Sequence, residues 1–222
     1  MRKSTTLINI KRKLQTVAGY VGLITYVAFY FVNSQACAAE NLAEKYHADL
    51  APVELYLNNI KNLSSKFIQE SEGNLVEGKF FLARSPESSG KMRIEYLTQP
   101  QILIVVNASV LSYYDVELDE ISHLSTNTTP ASFLTRPNIS FFAKDVEVTD
   151  VKKTADQIKI SVMKKNRKDA GEFSLVFDLN PLRFIKMEVK NDLGQIIGVT
   201  LTDIDFNSAI SDKLFVIKTI KN

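Results

Sequence analysis

The sequence predicts a mainly β fold: a single strongly curved antiparallel sheet, an incomplete β-barrel of about 11 strands, with an N-terminal helix and two short lid helices inserted in the middle of the strands. Three observations carry this expectation. From about Lys66 to Lys218 the chain is a succession of short segments apolar at every second residue, the period of a half-buried strand. The helical pieces are too few to cover the apolar face those segments build. With 222 residues of ordinary apolar content and no internal repeat, the chain has material for one core and no linker to a second.

Residues 1–38 read as a cleaved signal peptide. Arg2, Lys3, Lys11, Arg12 and Lys13 supply its basic start, Val17 to Val32 its apolar stretch, and Ala36-x-Ala38 its cleavage site. An uncleaved anchor is one alternative, since about 17 apolar residues lie at the short edge of what spans a bilayer. A lipidated terminus at Cys37 is another, against which Ser34-Gln35-Ala36 lacks the aliphatic residue expected three places before such a cysteine. Cleavage leaves one domain, residues 39–222, and changes its charge. Of 27 Lys and Arg residues five lie within 1–38, leaving 22 against 25 Asp and Glu, a net charge of −3. That balance excludes nucleic acid as the expected partner. Cys37 is the one cysteine, so the exported chain forms no internal disulfide.

The first element of the domain is an amphipathic helix beginning at Asp49 and carried toward Phe67, with Leu50, Val53, Leu57 and Ile60 at helical spacing and Pro52 in its first turn. In the strands that follow, Phe80 and Leu82 share one face. Met92, Ile94 and Tyr96 share another, opposite Lys91, Arg93 and Glu95. The run Gln101 to Val106 is apolar without alternation and is expected to be covered on both sides. Ile158, Ile160 and Val162 alternate with Lys159 and Ser161. Phe173, Leu175, Phe177 and Leu179 alternate with Ser174, Val176 and Asp178. Between the two groups of strands, Thr129-Pro130 opens a short helix that contains Phe133 and Leu134. Arg136-Pro137 ends it, and Asn138 caps a second helix bearing Ile139, Phe141 and Phe142. Such helices would lie across the mouth of a curved sheet or plug its core.

Catalytic and metal signatures are missing. The domain has two isolated histidines, His47 and His123, no thiol, no Gly-x-Ser-x-Gly, no His-Glu-x-x-His and no phosphate-cradling glycine loop. Asp203 and Asp205 share a strand face where solvated carboxylates are the default. Lys164, Lys165, Arg167 and Lys168 read as a solvated hairpin tip. No enzyme activity, cofactor or metal is expected. Arg84 stands out, because alternation from Phe80 and Leu82 turns it inward at its strand end. A guanidinium there needs carboxylates or free carbonyls, such as those at a helix terminus. A surface arginine at the strand break Ser85-Pro86 is the alternative.

In order along the chain, Gly78-Lys79-Phe80-Phe81-Leu82-Ala83-Arg84, Lys91 to Tyr96, Pro100 to Val106, Leu111-Ser112-Tyr113-Tyr114-Asp115, Thr129-Pro130 with Phe133-Leu134, and Asn180-Pro181-Leu182 through Asp192-Leu193-Gly194 resemble the periplasmic outer-membrane lipoprotein carriers, the LolA family. The resemblance implies a periplasmic chaperone whose unclosed barrel is capped by a helical lid. Such a carrier takes acylated lipoproteins from an inner-membrane ABC exporter, shields their acyl chains and passes them to an outer-membrane acceptor. It implies a lid latch at Arg84 and a lid formed by Pro130, Phe133, Leu134, Ile139, Phe141 and Phe142. By strand phase and family position the acyl-chain cavity would be lined by Phe80, Leu82, Met92, Ile94, Tyr96, Ile160, Phe173, Leu175 and Phe177, and the protein would act as a monomer. Here Ser85 precedes the proline that the family usually places directly after the arginine, Glu87-Ser88-Ser89 look inserted, and an aromatic residue usual near Ile94 is missing. An anchored acceptor of the same fold and an exported enzyme are the other readings.

Overall fold

The computed structural model describes residues 41–71, 74–191 and 193–218. The expected signal peptide, 1–38, and its cleavage site lie outside the described residues. Two helices lead the domain, α1 (Leu42–Lys45) and α2 (His47–Asn59). Eleven strands follow: β1 (Asn62–Ser71), β2 (Asn74–Ser85), β3 (Ser88–Tyr96), β4 (Ile102–Asn107), β5 (Val110–Asp115), β6 (Glu120–Ser125), β7 (Val146–Lys153), β8 (Gln157–Lys164), β9 (Glu172–Leu179), β10 (Leu182–Lys190) and β11 (Ile196–Asp205). They form one antiparallel sheet in the order β6-β5-β4-β3-β2-β1-β11-β10-β9-β8-β7. The predicted fold class is therefore the observed one.

The order has a topological consequence. Because β1 pairs with β11, the first and last strands meet mid-sheet and the two free edges are the consecutive strands β6 and β7. The sheet is not closed, and the connection 126–145 must run from one edge to the other. It does so over the concave face. Phe133, Leu134, Ile139 and Phe141 join one buried cluster with Leu50, Val53 and Leu57 of α2 and with inward residues of β2, β3, β8 and β9. Strands so far apart in the sheet can share one cluster only if the sheet curls around it.

Two expectations are corrected. The N-terminal helix stops at Asn59 and does not continue toward Phe67. Ile60 is already extended at φ −71°, ψ 109°, and from Asn62 the period changes to two, with Leu63, Ser65, Phe67 and Gln69 buried on one face. The segment 129–142 holds one 3-10 turn, Pro130–Phe133, and the second helix predicted after Asn138 does not form. The reason lies in its backbone, whose polar groups are bonded from outside, as described below, and so do not depend on intrahelical partners.

The expectation for Gln101 to Val106 holds in detail. Val106 belongs to the inner cluster, whereas Leu103 and Val105 face outward and pack with Tyr114 beneath Phe215, in the 3-10 turn Asp212–Phe215 of the C-terminal tail. Phe81 also faces this outer cluster. Gly78 is required by packing: a Cβ there would lie 2.2 Å from Cζ of Phe67, whose ring stands edge-on to Tyr96 at 5.4 Å.

Candidate functional site

The concave face carries the candidate site. Of the residues predicted to line a cavity, Phe80, Leu82, Met92, Ile160, Phe173, Leu175 and Phe177 are each at most 2% exposed, while Ile94 and Tyr96 are half-buried. Of the predicted lid residues, Phe133, Leu134, Ile139 and Phe141 are at most 3% exposed. Phe142 is half-buried with its ring 5.0 Å from that of His47, and Pro130 starts the 3-10 turn. The structure thus brings both sets together, the crossing segment seated on the floor of the sheet.

Register shows how far the apolar floor extends. The row Leu63, Leu82, Met92, Val106, Leu111 and Leu124 runs across β1, β2, β3, β4, β5 and β6. Its first four members are at most 2% exposed, Leu111 is half-buried and Leu124 is 54% exposed. In the next row Phe80 is buried, whereas Ile94, Ile104 and Tyr113 are half-buried. A strip of the concave face beside β6 is therefore apolar, continuous with the core and open to solvent. Val106, Ile104, Leu111, Tyr113 and Leu124 were missed as lining by sequence reasoning. Only the alternation Leu111-x-Tyr113 hinted at them, and their face depends on pairing partners. Tyr96 donates its hydroxyl to Gln69 Oε1 at 2.8 Å on this floor, and burial, then Tyr113, raises its pKa.

The crossing segment is held by polar contacts gathered at one corner. The guanidinium of Arg84 donates to Leu57 O in the last turn of α2 at 2.5 Å, to Arg136 O at 2.8 and 3.2 Å, to Pro137 O at 3.3 Å and to Asn58 Oδ1 at 3.3 Å. Burial pushes its pKa below the ordinary arginine value. The amide of Asn58 grips Ile139 from both sides, Oδ1 accepting from Ile139 N and Nδ2 donating to Ile139 O, each at 2.8 Å. Glu54 Oε2 accepts from Phe141 N at 2.9 Å. Glu54 and Asn58 lie four apart on one face of α2, so one helix face presents both. The sequence pattern selected Arg84 but not Asn58 or Glu54, because an Asn near a helix end and a Glu on its surface have commonplace explanations.

The departure around Ser85 has a structural account. Ala83 pairs with Lys91 but Ser85 with Ser88, so two residues, Ser89 and Gly90, stand opposite Arg84. This bulge frees Gly90 N to donate to Thr135 O of the crossing segment at 2.6 Å. A Cβ at Gly90 would lie 3.0 Å from Arg84 Cγ and 3.2 Å from Thr135 Cα, so the close approach favours glycine.

At the start of the crossing, Lys164 departs from the solvated tip expected of it. Its Nζ donates to Asn127 O at 3.3 Å and Thr126 O at 3.4 Å, and burial, then Arg136, lowers its pKa. Arg136 pairs with Asp145 at 2.5 Å and lies over the Phe133 ring at 5.5 Å. Its hydrogen bond holds the Asp145 carboxyl below the usual aspartate range. Ser89, Thr135, Arg136, Asp145 and Lys164 line a polar cavity of about 420 Å³ here.

Elsewhere, His123 is exposed on β6, with Nδ1 2.9 Å from Ser112 Oγ, and Asp203 is an exposed partner of Lys66 at 2.9 Å. The buried polar residues among those described are Ser65, Gln69, Thr126, Thr135, Ser161 and Ser174, with no histidine or carboxylate. No group of three or more metal-ligating side chains is found among the described residues, and no described helix is long and apolar enough to cross a membrane.

Comparison with known proteins bears on this arrangement. The sequence model of the outer membrane lipoprotein carrier protein LolA matches residues 58–218. The uncharacterized protein RP864 of Rickettsia prowazekii (strain Madrid E) is 24% identical over 196 residues, covering 88% of this chain and 85% of its own length. Among solved structures, the LolA superfamily protein NE2245 from Nitrosomonas europaea matches with a TM-score of 0.41 and 10% identity, over 75% of this chain and 97% of that one. A DUF1329 family protein from Desulfovibrio piger matches with a TM-score of 0.47 and 10% identity, over 78% and 96%. The MucA/MucB complex of Pseudomonas aeruginosa matches with a TM-score of 0.41 and 13% identity, over 77% of this chain and 60% of that one, so the chain spans less than two thirds of that relative. The family match begins at Asn58, takes in all eleven strands and the segment that crosses them, and covers most of the sequence: this chain belongs to the family of the outer membrane lipoprotein carrier protein LolA.

Proposed function

We propose that the protein is a periplasmic carrier that shields the acyl chains of lipoproteins on its concave face, with the segment 126–145 as a lid latched by Arg84. Family membership supports lipoprotein binding as the class of function and the periplasm as its place. The observation that carries the finer reading is the graded exposure along one row of the sheet, from Met92 and Val106 under the lid to Leu124 in the open. An acyl chain can begin on the open strip and advance by displacing lid side chains.

The energetics suit a carrier better than a permanent store. Each acyl methylene kept from water contributes about 0.8 kcal/mol, so a 16-carbon chain exposed to water costs on the order of 12 kcal/mol. Lifting Phe133, Leu134, Ile139 and Phe141 off the floor costs about 6–12 kcal/mol at 1.5–3 kcal/mol per side chain. Ligand and lid compete for one surface with comparable stakes, which permits both capture and release. The lid is fastened by hydrogen bonds to a helix end and to one bulge, contacts that open without disturbing the sheet. Delivery from an inner-membrane ABC exporter to an outer-membrane acceptor, cleavage of residues 1–38, and a monomeric carrier domain at 39–222 belong to the same proposal.

The test is native mass spectrometry of the purified protein after incubation with a triacylated lipoprotein and removal of detergent. A one-to-one complex, weakened by Leu111→Asp on the open strip, is expected. A folded protein that retains no lipoprotein overturns the reading.

A further inference from the structure

The two free edges of the sheet are treated differently. Along β7, α1 packs against the strand, Lys153 pairs with Asp49 and Lys152 with Asp150, so helix and charge cover that edge. Along β6, every residue from Glu120 to Ser125 is exposed, and the strand has no Lys, Arg, Pro or bulge. Its backbone phase can be read from two independent markers. Thr126 N donates to Ser109 O, which makes Leu111–Leu124 and Tyr113–Ser122 the hydrogen-bonded pairs of the β5–β6 ladder. Val116 N donates to Gln101 O, which turns Tyr114 toward β4 and Tyr113 toward β6, the same phase. The amide and carbonyl of Ile121 and of His123 therefore point away from the sheet. Among the described residues nothing bonds them.

We infer that the β6 edge binds the extended polypeptide immediately following the lipidated residue of the cargo, as an added strand. The inference rests on the carrier reading above and deepens it. Its occupant is chosen by continuity. Leu124 and Ser122 face the concave side, and Leu124 is the outermost member of the apolar row that ends at this edge. A chain whose lipid lies along that row leaves the protein over β6, where the nearest unpaired backbone groups are those of Ile121 and His123. Main-chain pairing suits a carrier of many lipoproteins, since it reads the peptide backbone and tolerates any side chain. Six residues of strand span roughly 20 Å, room for an extended peptide of five or six residues.

The experiment compares four fluorescent probes on the purified protein: a diacylglyceryl-cysteine without peptide, the same lipid with an eight-residue peptide, and that lipopeptide N-methylated at alternate amides in each of the two registers. The expected result is a lipopeptide bound about tenfold more tightly than the lipid alone, with the gain abolished by N-methylation in one of the two alternate registers. His123→Pro, which removes an edge donor and the exposed side-chain contact with Ser112 but no backbone bond to β5, should erase the same gain and leave lipid binding unchanged. If lipid and all three lipopeptides bind equally, the edge inference is overturned and the carrier reading stands. If no probe binds a folded protein, both fall. If His123→Pro changes the oligomeric state and not the peptide gain, the edge serves a second copy of this chain and the inference is overturned.

Discussion

Replacing Arg84 by Met keeps most of the aliphatic stem and removes the guanidinium donors that bridge the crossing segment to the end of α2, leaving the bonds of Asn58 and Glu54 to Ile139 and Phe141 in place. The guanidinium reaches four acceptors, Leu57 O, Asn58 Oδ1, Arg136 O and Pro137 O. The bonds to Leu57 O at 2.5 Å and to Arg136 O at 2.8 Å are well formed, while those at 3.2–3.3 Å are long. At 1.5–3 kcal/mol per charged hydrogen bond, discounted because the group is only half-buried and water can reach the freed carbonyls, the loss is about 2–4 kcal/mol. The sheet keeps its ladder, so that loss should fall on the opening of the crossing segment and leave global unfolding nearly unchanged. Amide hydrogen exchange reads it directly. The amides of Gly90, Ile139 and Phe141, bonded to Thr135 O, Asn58 Oδ1 and Glu54 Oε2, should exchange about 30- to 1,000-fold faster in the variant. Amides of the β1–β2 ladder should barely change. Equal acceleration at Phe67 and Ile139 would mean that Arg84 supports the whole fold, and no acceleration at Ile139 would mean that it does not hold the segment; either refutes the reasoning.

Asn58→Ala removes both bonds to Ile139 and should cost about 1–2 kcal/mol in the same exchange measurement. Combined with Arg84→Met it should cost less than the sum, because Asn58 Oδ1 serves both partners. The Arg136–Asp145 pair should respond to acid with a defined sign. The folded-state pKa of Asp145 lies below its unfolded value, so its contribution is fully present above the usual aspartate range, and is lost as pH falls through the folded pKa. The difference in melting temperature between the protein and Asp145→Asn should accordingly shrink below about pH 4 and be unchanged from pH 6 to 8. Phe215→Ala should cost about 3 kcal/mol by denaturant titration, since the ring is 2% exposed against Leu103, Val105 and Tyr114, and should free the tail for proteolysis beyond residue 206.

The sequence by itself determined the β class, the alternating faces of β3, β8 and β9 and the double cover on β4, because period and polarity are local properties of a strand. It also singled out Arg84, since a charge in phase with Phe80 and Leu82 is anomalous within a few residues. Tertiary structure alone decided what depends on partners far along the chain. What satisfies the end of α2 is one such case: Leu57 O accepts from Arg84, 27 residues later. The second helix after Asn138 is replaced by an irregular path with tight turns, whose backbone Asn58 and Glu54, 81 and 87 residues away, bond. That β6 and β7 are the edges follows from the pairing of β1 with β11, and from it follow the crossing of residues 126–145, the open strip that ends at Leu124 and the free amides of Ile121 and His123. Local pattern sets which face of a strand is apolar; only the closure of the chain on itself decides which part of that face is left uncovered.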